Sequence, residues 1–170
     1  MTLVLLGVLT LVDGAFCGFR ASAGRNPRIF LWPYYATAMR RGLAFAAVFV
    51  AVFLGAGLAV RFGVSQATWS ALEIAASSMV QVYGVYATLV LAALALYGFG
   101  AFDLSVLATV IVLGPFTLIR PLVILGGAIY GASRTDDAVV WIFAIAAALV
   151  MMSFERIIAL GRPPWHDTMP

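Results

Sequence analysis

The sequence has 170 residues, of which 64% are hydrophobic and 10% are charged. An average soluble domain has about 25% charged residues, so these charges are too few to cover the surface of a soluble protein of this size. The mean hydropathy of +1.08 agrees with this conclusion. The net charge of +3 comes from arginines that flank hydrophobic segments. We therefore expect a protein surrounded by lipid, with no nucleic-acid partner.

Five hydrophobic segments of membrane-spanning length follow one another along the chain. We read the first as a retained span and not as a cleaved signal, because Asp13 interrupts it and no basic region precedes it. The segments predict an all-α polytopic membrane bundle that forms a single transmembrane domain over residues 1–170. The predicted spans are 1–19, 42–60, 71–98, 104–130 and 138–160, and we expect residues 61–70 to form a loop or a short surface helix.

The placement of the arginines predicts how the bundle is oriented. With five spans, Arg61 and Arg134 fall on one side of the membrane and seven arginines fall on the other. The positive-inside rule therefore places the N-terminus outside and the C-terminus in the cytoplasm of a bacterial plasma (inner) membrane. The seven cytoplasmic arginines are Arg20, Arg25, Arg28, Arg40, Arg41, Arg156 and Arg162.

The segment between the first two spans is the most basic part of the chain. Its turn-rich sequence and aromatic residues indicate a loop at headgroup depth that leads into the second span. We expect this segment to dock onto a cytoplasmic partner or onto anionic lipid headgroups. The residues assigned to that surface are Arg20, Arg25, Arg28, Arg40 and Arg41.

Two acidic residues lie within predicted spans, near their cytoplasmic ends. Asp13 lies ~9 Å and Glu155 ~8 Å from those ends at the rise of an α-helix. Four arginines fall near the same depth, and each buried charge needs a partner or a path to water. One interpretation is an ionic lattice that fixes the helices, and the other is a proton or ion pathway through Asp13 and Glu155. The four arginines are Arg20, Arg40, Arg41 and Arg156.

Arg120 lies deeper, at ~24 Å from the start of the predicted fourth span. An unpaired arginine at such a depth is unfavourable by at least ~2.5 kcal/mol. We predict that it bonds to a polar group on the third span, or to backbone carbonyls freed by nearby prolines. The polar group consists of Gln81, at nearly the same height, and Ser77 and Ser78 above it. Glu73, nearer the outer surface, is a second candidate partner.

Pro115 and Pro121 bracket Arg120 on the fourth span. Each proline removes a backbone donor and frees a carbonyl, so the sequence predicts a kinked or broken helix with Arg120 at the break. Broken helices near the bilayer midplane bind ligands in many transporters. The alternatives are a structural kink with a satisfied arginine and an anion or headgroup site at Arg120.

Pairs of glycines spaced four residues apart occur in the first span and at the end of the fourth. They are Gly14 with Gly18 and Gly127 with Gly131. Small residues at this spacing let two helix backbones approach closely. The pairs indicate either packing inside the bundle or contact between copies of the chain.

The sequence contains no complete set of catalytic or metal-binding residues. Cys17 is the sole cysteine and His166 is the sole histidine, so neither a metal cluster nor a Ser-His-Asp set is expected. We expect a noncatalytic subunit or scaffold of a membrane complex, with a membrane protein partner or a homo-oligomer. A small oligomeric transporter or channel using Arg120, and an enzyme that modifies lipids or isoprenoids, stay as alternatives. No cofactor is predicted, and a bound quinone or lipid is left open.

Overall fold

The computed structural model describes residues 1–23, 32–63, 65–99 and 116–160. These residues form five α-helices and, within those ranges, no strand. The all-α prediction is therefore confirmed. The helices are α1 (Thr2–Ala23), α2 (Trp32–Gly63), α3 (Gln66–Gly98), α4 (Phe116–Ala132) and α5 (Ala138–Leu160).

Four of these helices, α1, α2, α3 and α5, are long and apolar enough to cross a membrane. The chain is therefore a helical membrane protein. The apolar part of α4 is shorter, running from Leu118 to Ala132. The predicted fourth span began at residue 104, and its first part lies outside the described residues.

The connection between α2 and α3 is much shorter than predicted. The sequence led us to expect a loop or surface helix over residues 61–70, but α2 continues to Gly63 and α3 begins at Gln66. Ser65 caps α3, because its Oγ accepts a hydrogen bond of 3.1 Å from the backbone N–H of Thr68. A serine at this position satisfies one of the amide donors that a helix start leaves free.

Helices that follow one another in the described chain run in opposite directions. On α1 and α2, Gly18 lies beside Ala38 whereas Gly7 lies beside Val50. The same reversal relates α3 to α4 and α2 to α5. The helices α1, α3 and α5 therefore begin at one end of the bundle, here called the Met1 end, where α2 and α4 finish. The opposite end is called the Ala23 end.

The closest helix contact joins α1 to α2 through residues with little or no side chain. A Cβ atom added at Gly14 would lie 2.6 Å from the carbonyl oxygen of Gly42, and one added at Gly18 would overlap the carbonyl of Ala38. On α4, a Cβ at Gly131 would lie 2.6 Å from the carbonyl oxygen of Ala75 on α3. The glycine pairs of α1 and α4 therefore serve contacts inside the bundle.

The core of the bundle is aromatic. The ring of Phe154 on α5 packs edge-on against Phe45 and Phe49 of α2, with centroids 5.2 and 5.3 Å apart. Phe16 of α1 packs edge-on against Tyr86 of α3. Phe16, Tyr86 and Phe154 are buried, and the partly buried Phe45 and Phe49 pack against the same cluster.

Candidate functional site: a buried ion pair

Arg120 on α4 forms a two-pronged ion pair with Asp13 on α1. The Arg120 Nε donates to Asp13 Oδ1 at 2.8 Å, and Nη2 donates to Asp13 Oδ2 at 2.6 Å. The fork of a guanidinium matches the two oxygens of a carboxylate, so both partners are oriented as well as neutralised. The pair joins residues that are 107 positions apart in the sequence.

A third helix takes part through its backbone. Arg120 Nη2 also donates to the carbonyl oxygen of Met151 on α5, at 2.6 Å. A carbonyl oxygen has two lone pairs, so it can accept this bond and still accept the helical one. One side chain therefore ties α4 to both α1 and α5.

The pair is shielded from its surroundings. The side chains of Arg120 and Asp13 are 4% and 0% exposed. The thiol of Cys17, one turn further along α1, lies 3.8 Å from Asp13 Oδ2 and can donate a weak hydrogen bond to it. Phe16 and Tyr83 belong to the same buried cluster. Because attraction between charges strengthens in such an apolar environment, each charge depends on the other.

No protein-family model, curated protein or solved structure matches this chain. The site must therefore be interpreted from its own geometry.

A second ion pair lies nearer the Ala23 end. Arg20 on α1 places Nη1 2.8 Å from Glu155 Oε1 on α5. The side chain of Arg20 is 8% exposed and that of Glu155 is 28% exposed, so water or headgroups reach this pair more easily than the first. Asp13 and Glu155 therefore have different arginine partners. Arg20 is one of the four arginines of the ionic-lattice interpretation, whereas Arg120, the partner of Asp13, is not.

The partners predicted for Arg120 are not the ones it has. Gln81, Ser77 and Ser78 were expected to hold it, but Gln81 is exposed and the Ser78 hydroxyl donates to the carbonyl of Ile74 on its own helix. The second candidate, Glu73, lies 3.8 Å from the N-terminal amine at the Met1 end. The arginine instead reaches a carboxylate on α1, which neutralises its charge where a serine or an amide could not.

The wrong partner was predicted for Arg120 because the residues were placed at the wrong heights along their helices. The first span was predicted to end at Phe19, but α1 continues to Ala23, and Asp13 lies near its middle. Arg120 is the fifth residue of the described part of α4, and that helix lies beside α3 with Gly131 near Ala75. A charged residue inside a span needs a partner of opposite charge. Matching the acidic residues within the spans to the arginines could therefore have suggested the Asp13–Arg120 pair.

The expected break next to Arg120 is not present between Phe116 and Ala132. The described part of α4 is continuous, with Pro121 inside it. Proline lacks the N–H that would bond to the carbonyl four residues earlier, and here that carbonyl belongs to Thr117, close to where the described helix begins. Pro115 lies outside the described residues, as does the chain before it.

The predicted basic surface is divided in the structure. Arg40 and Arg41 are exposed on α2. Arg20 is buried in its pair with Glu155 and does not belong to an exposed surface. Arg25 and Arg28 lie outside the described residues. Within the described residues, no three histidine, cysteine or acidic side chains come together as a metal site.

Proposed function

We propose that this protein is a noncatalytic subunit or scaffold that packs against a second membrane protein through the outward face of α2. The observation that carries the proposal is a row of small, exposed residues on that helix. Small side chains in line along a membrane helix let another helix approach closely. The row consists of Ala47, Ala51, Gly55 and Ala59, one helical turn apart.

The burial of α2 supports this surface as the place of contact. In the membrane-spanning part of α2, 17% of the residues are buried within the chain, compared with 22% in α5 and 44% in α1 and α3. Nothing in the described structure lies within 4 Å of a Cβ added at Gly55. The side of α2 that faces α1 is occupied, whereas no residue of the described ranges covers Gly55 in the row of small residues.

The state of the buried charges also supports a structural role. An acid–base catalyst or an ion site needs a group that substrate can reach. The buried charged residues of the described chain are Asp13, Arg20 and Arg120, and each has an ion-pair partner on another helix. The enzyme alternative requires Asp13 and Glu155 to share one cleft. Their separate arginine partners favour the scaffold over that alternative and over an anion site at Arg120.

Replacing Gly55 with leucine tests the proposal. After gentle detergent extraction, the parent chain should be found by native mass spectrometry in a complex with another membrane protein at a fixed ratio. Gly55→Leu should release it, because the branched side chain keeps the partner helix away. Gly126→Leu is the matched control, since Gly126 on α4 is equally open, and it should leave the complex intact.

Two results would contradict the scaffold proposal. One is a parent chain that is purified without a protein partner, and the other is a complex that Gly55→Leu leaves intact. If a homo-oligomer conducted a substrate in liposomes and Arg120→Gln abolished that flux while assembly survived, the transporter alternative would replace this proposal.

A further inference from the structure

An elongated cavity of about 390 Å³ lies between α1, α2, α3 and α5 in the half of the bundle nearest the Met1 end. At the Met1 end, here called its mouth, the cavity is lined by Met1, Arg61, Trp69 and Glu73, and its deepest part, here called its floor, is lined by Thr10, Phe49 and Met151. From Arg61 to Phe49 along α2 the cavity extends ~18 Å. One leaflet of a bilayer has a hydrocarbon depth of about 15 Å, so the cavity spans one leaflet.

The interior of the cavity is apolar. Most lining side chains are aliphatic or aromatic, and the hydroxyl of Thr10 at the floor already donates to the carbonyl of Leu6 at 2.8 Å. A water molecule is poorly stabilised in such a space, because it has too few hydrogen-bond partners there. Hydrocarbon is the fitting occupant.

The cavity has an entrance from the lipid phase. Val4 on α1 and Leu58 on α2 line it and are also 61% and 46% exposed. Nearer the floor the gap between these helices closes, as a Cβ added at Gly7 would lie 3.1 Å from Val50. An acyl chain can therefore enter sideways between α1 and α2 at the Met1 end.

The mouth carries Arg61, a cation suited to a phosphate, together with Glu73, whose Oε1 lies 3.8 Å from the N-terminal amine. The guanidinium carbon of Arg61 lies 5.3 Å from the centroid of the Trp69 ring and 5.7 Å from that of Phe62. Such cation–π contacts orient the guanidinium without using its N–H donors. Those donors bind phosphate oxygens in pairs, and tryptophan itself favours headgroup depth.

We propose that this cavity is a phospholipid site, in which one acyl chain lies between the four helices and Arg61 binds the lipid phosphate. The site shares no residue with the α2 row, meets the Asp13–Arg120 pair only at Met151, whose carbonyl accepts from Arg120, and does not depend on the scaffold proposal. A bound chain fills the apolar volume, and the charged mouth selects a lipid with a phosphate over a neutral one.

Lipid retention in native mass spectrometry tests the site, with phosphatidylglycerol and diacylglycerol as the two probes. The parent chain should retain one phosphatidylglycerol after detergent exchange. Gly57→Leu and Ala147→Phe place bulk in the cavity and should abolish this retention. Arg61→Gln should weaken phosphatidylglycerol binding about tenfold, because it removes charge-assisted hydrogen bonds, and should leave diacylglycerol binding unchanged.

Gly126→Leu serves as the control of equal added volume, because it lies on an open face of α4 outside the cavity. It should retain lipid as the parent does. If the parent and both cavity-filling variants retained lipid equally, the lipid would be annular only, and the proposed cavity site would be refuted. Equal weakening of both probes by Arg61→Gln would overturn the assignment of the phosphate to Arg61.

Discussion

Asp13 and Arg120 illustrate how a bilayer protein accommodates residues that lipid disfavours. Each charge alone would be costly at this depth. Together they form two short hydrogen bonds, and the Met151 carbonyl accepts a further one from the arginine. The stabilisation by this ion pair requires both partners, because a buried charge without its partner has no water to replace the lost contact.

Replacing one member of this ion pair should destabilise the protein more than replacing both members. We expect Arg120→Met or Asp13→Leu alone to lower the free energy of unfolding by ~3–5 kcal/mol, because each leaves one buried charge without its partner. The double variant Asp13→Leu/Arg120→Met should recover most of that loss. The measurement is unfolding of the purified chain in mixed detergent micelles, followed by circular dichroism.

Glu155→Gln provides the comparison for this series. Its carboxylate is 28% exposed, and glutamine keeps an oxygen that can accept from the buried guanidinium of Arg20, so we expect a smaller loss of ~1–2 kcal/mol. A double variant as unstable as the sum of its two single variants would show that Asp13 and Arg120 act independently, contrary to the geometry described.

At the scale of helices, the contact between α1 and α2 depends on the absence of side chains. The carbonyl of Gly14 lies where a side chain at Gly42 would begin, and the carbonyl of Ala38 lies where one at Gly18 would begin. The two backbones can therefore touch, and van der Waals contact and geometry take the place of the hydrophobic driving force that lipid does not provide.

Adding one methyl group at this contact should therefore separate the two helices. Because the obstructing atoms at Gly42 are backbone and cannot move aside like the end of a side chain, we expect Gly42→Ala to lower the free energy of unfolding by ~1–3 kcal/mol. Gly55→Ala, made on the same helix where no atom lies within 4 Å, should have no destabilising effect in the purified chain. Equal stability of the two variants in a detergent unfolding titration would refute this account.

At the scale of the whole molecule, the charged ends of the bundle differ. Arg20, Arg40, Arg41 and Arg156 belong to the half of the bundle nearest the Ala23 end, whereas Arg61 and Arg134 belong to the Met1 end. The alternating helix directions keep these two groups apart. The orientation relative to the cell stays a prediction from the positive-inside rule, with the Ala23 end in the cytoplasm.

Labelling of single introduced cysteines tests that orientation. The native Cys17 is buried and should give little background. In intact spheroplasts, a membrane-impermeant maleimide should label Arg134→Cys at the Met1 end. It should label Arg25→Cys after permeabilisation and not before. The reverse pattern would mean that the arginine-rich segment faces outwards and that the predicted topology is inverted.

The sequence by itself determined that this is a helical membrane protein, because composition and the length of apolar segments report directly on the surrounding solvent. It also located the ionisable residues that would need partners, among them Asp13, Arg120 and Glu155. Only the tertiary structure decided which charges pair, where α2 is left open, and that a cavity lies below Arg61. Those features depend on the relative height and rotation of helices far apart in the chain. These are set by contacts such as Gly14 against Gly42, which no local pattern specifies.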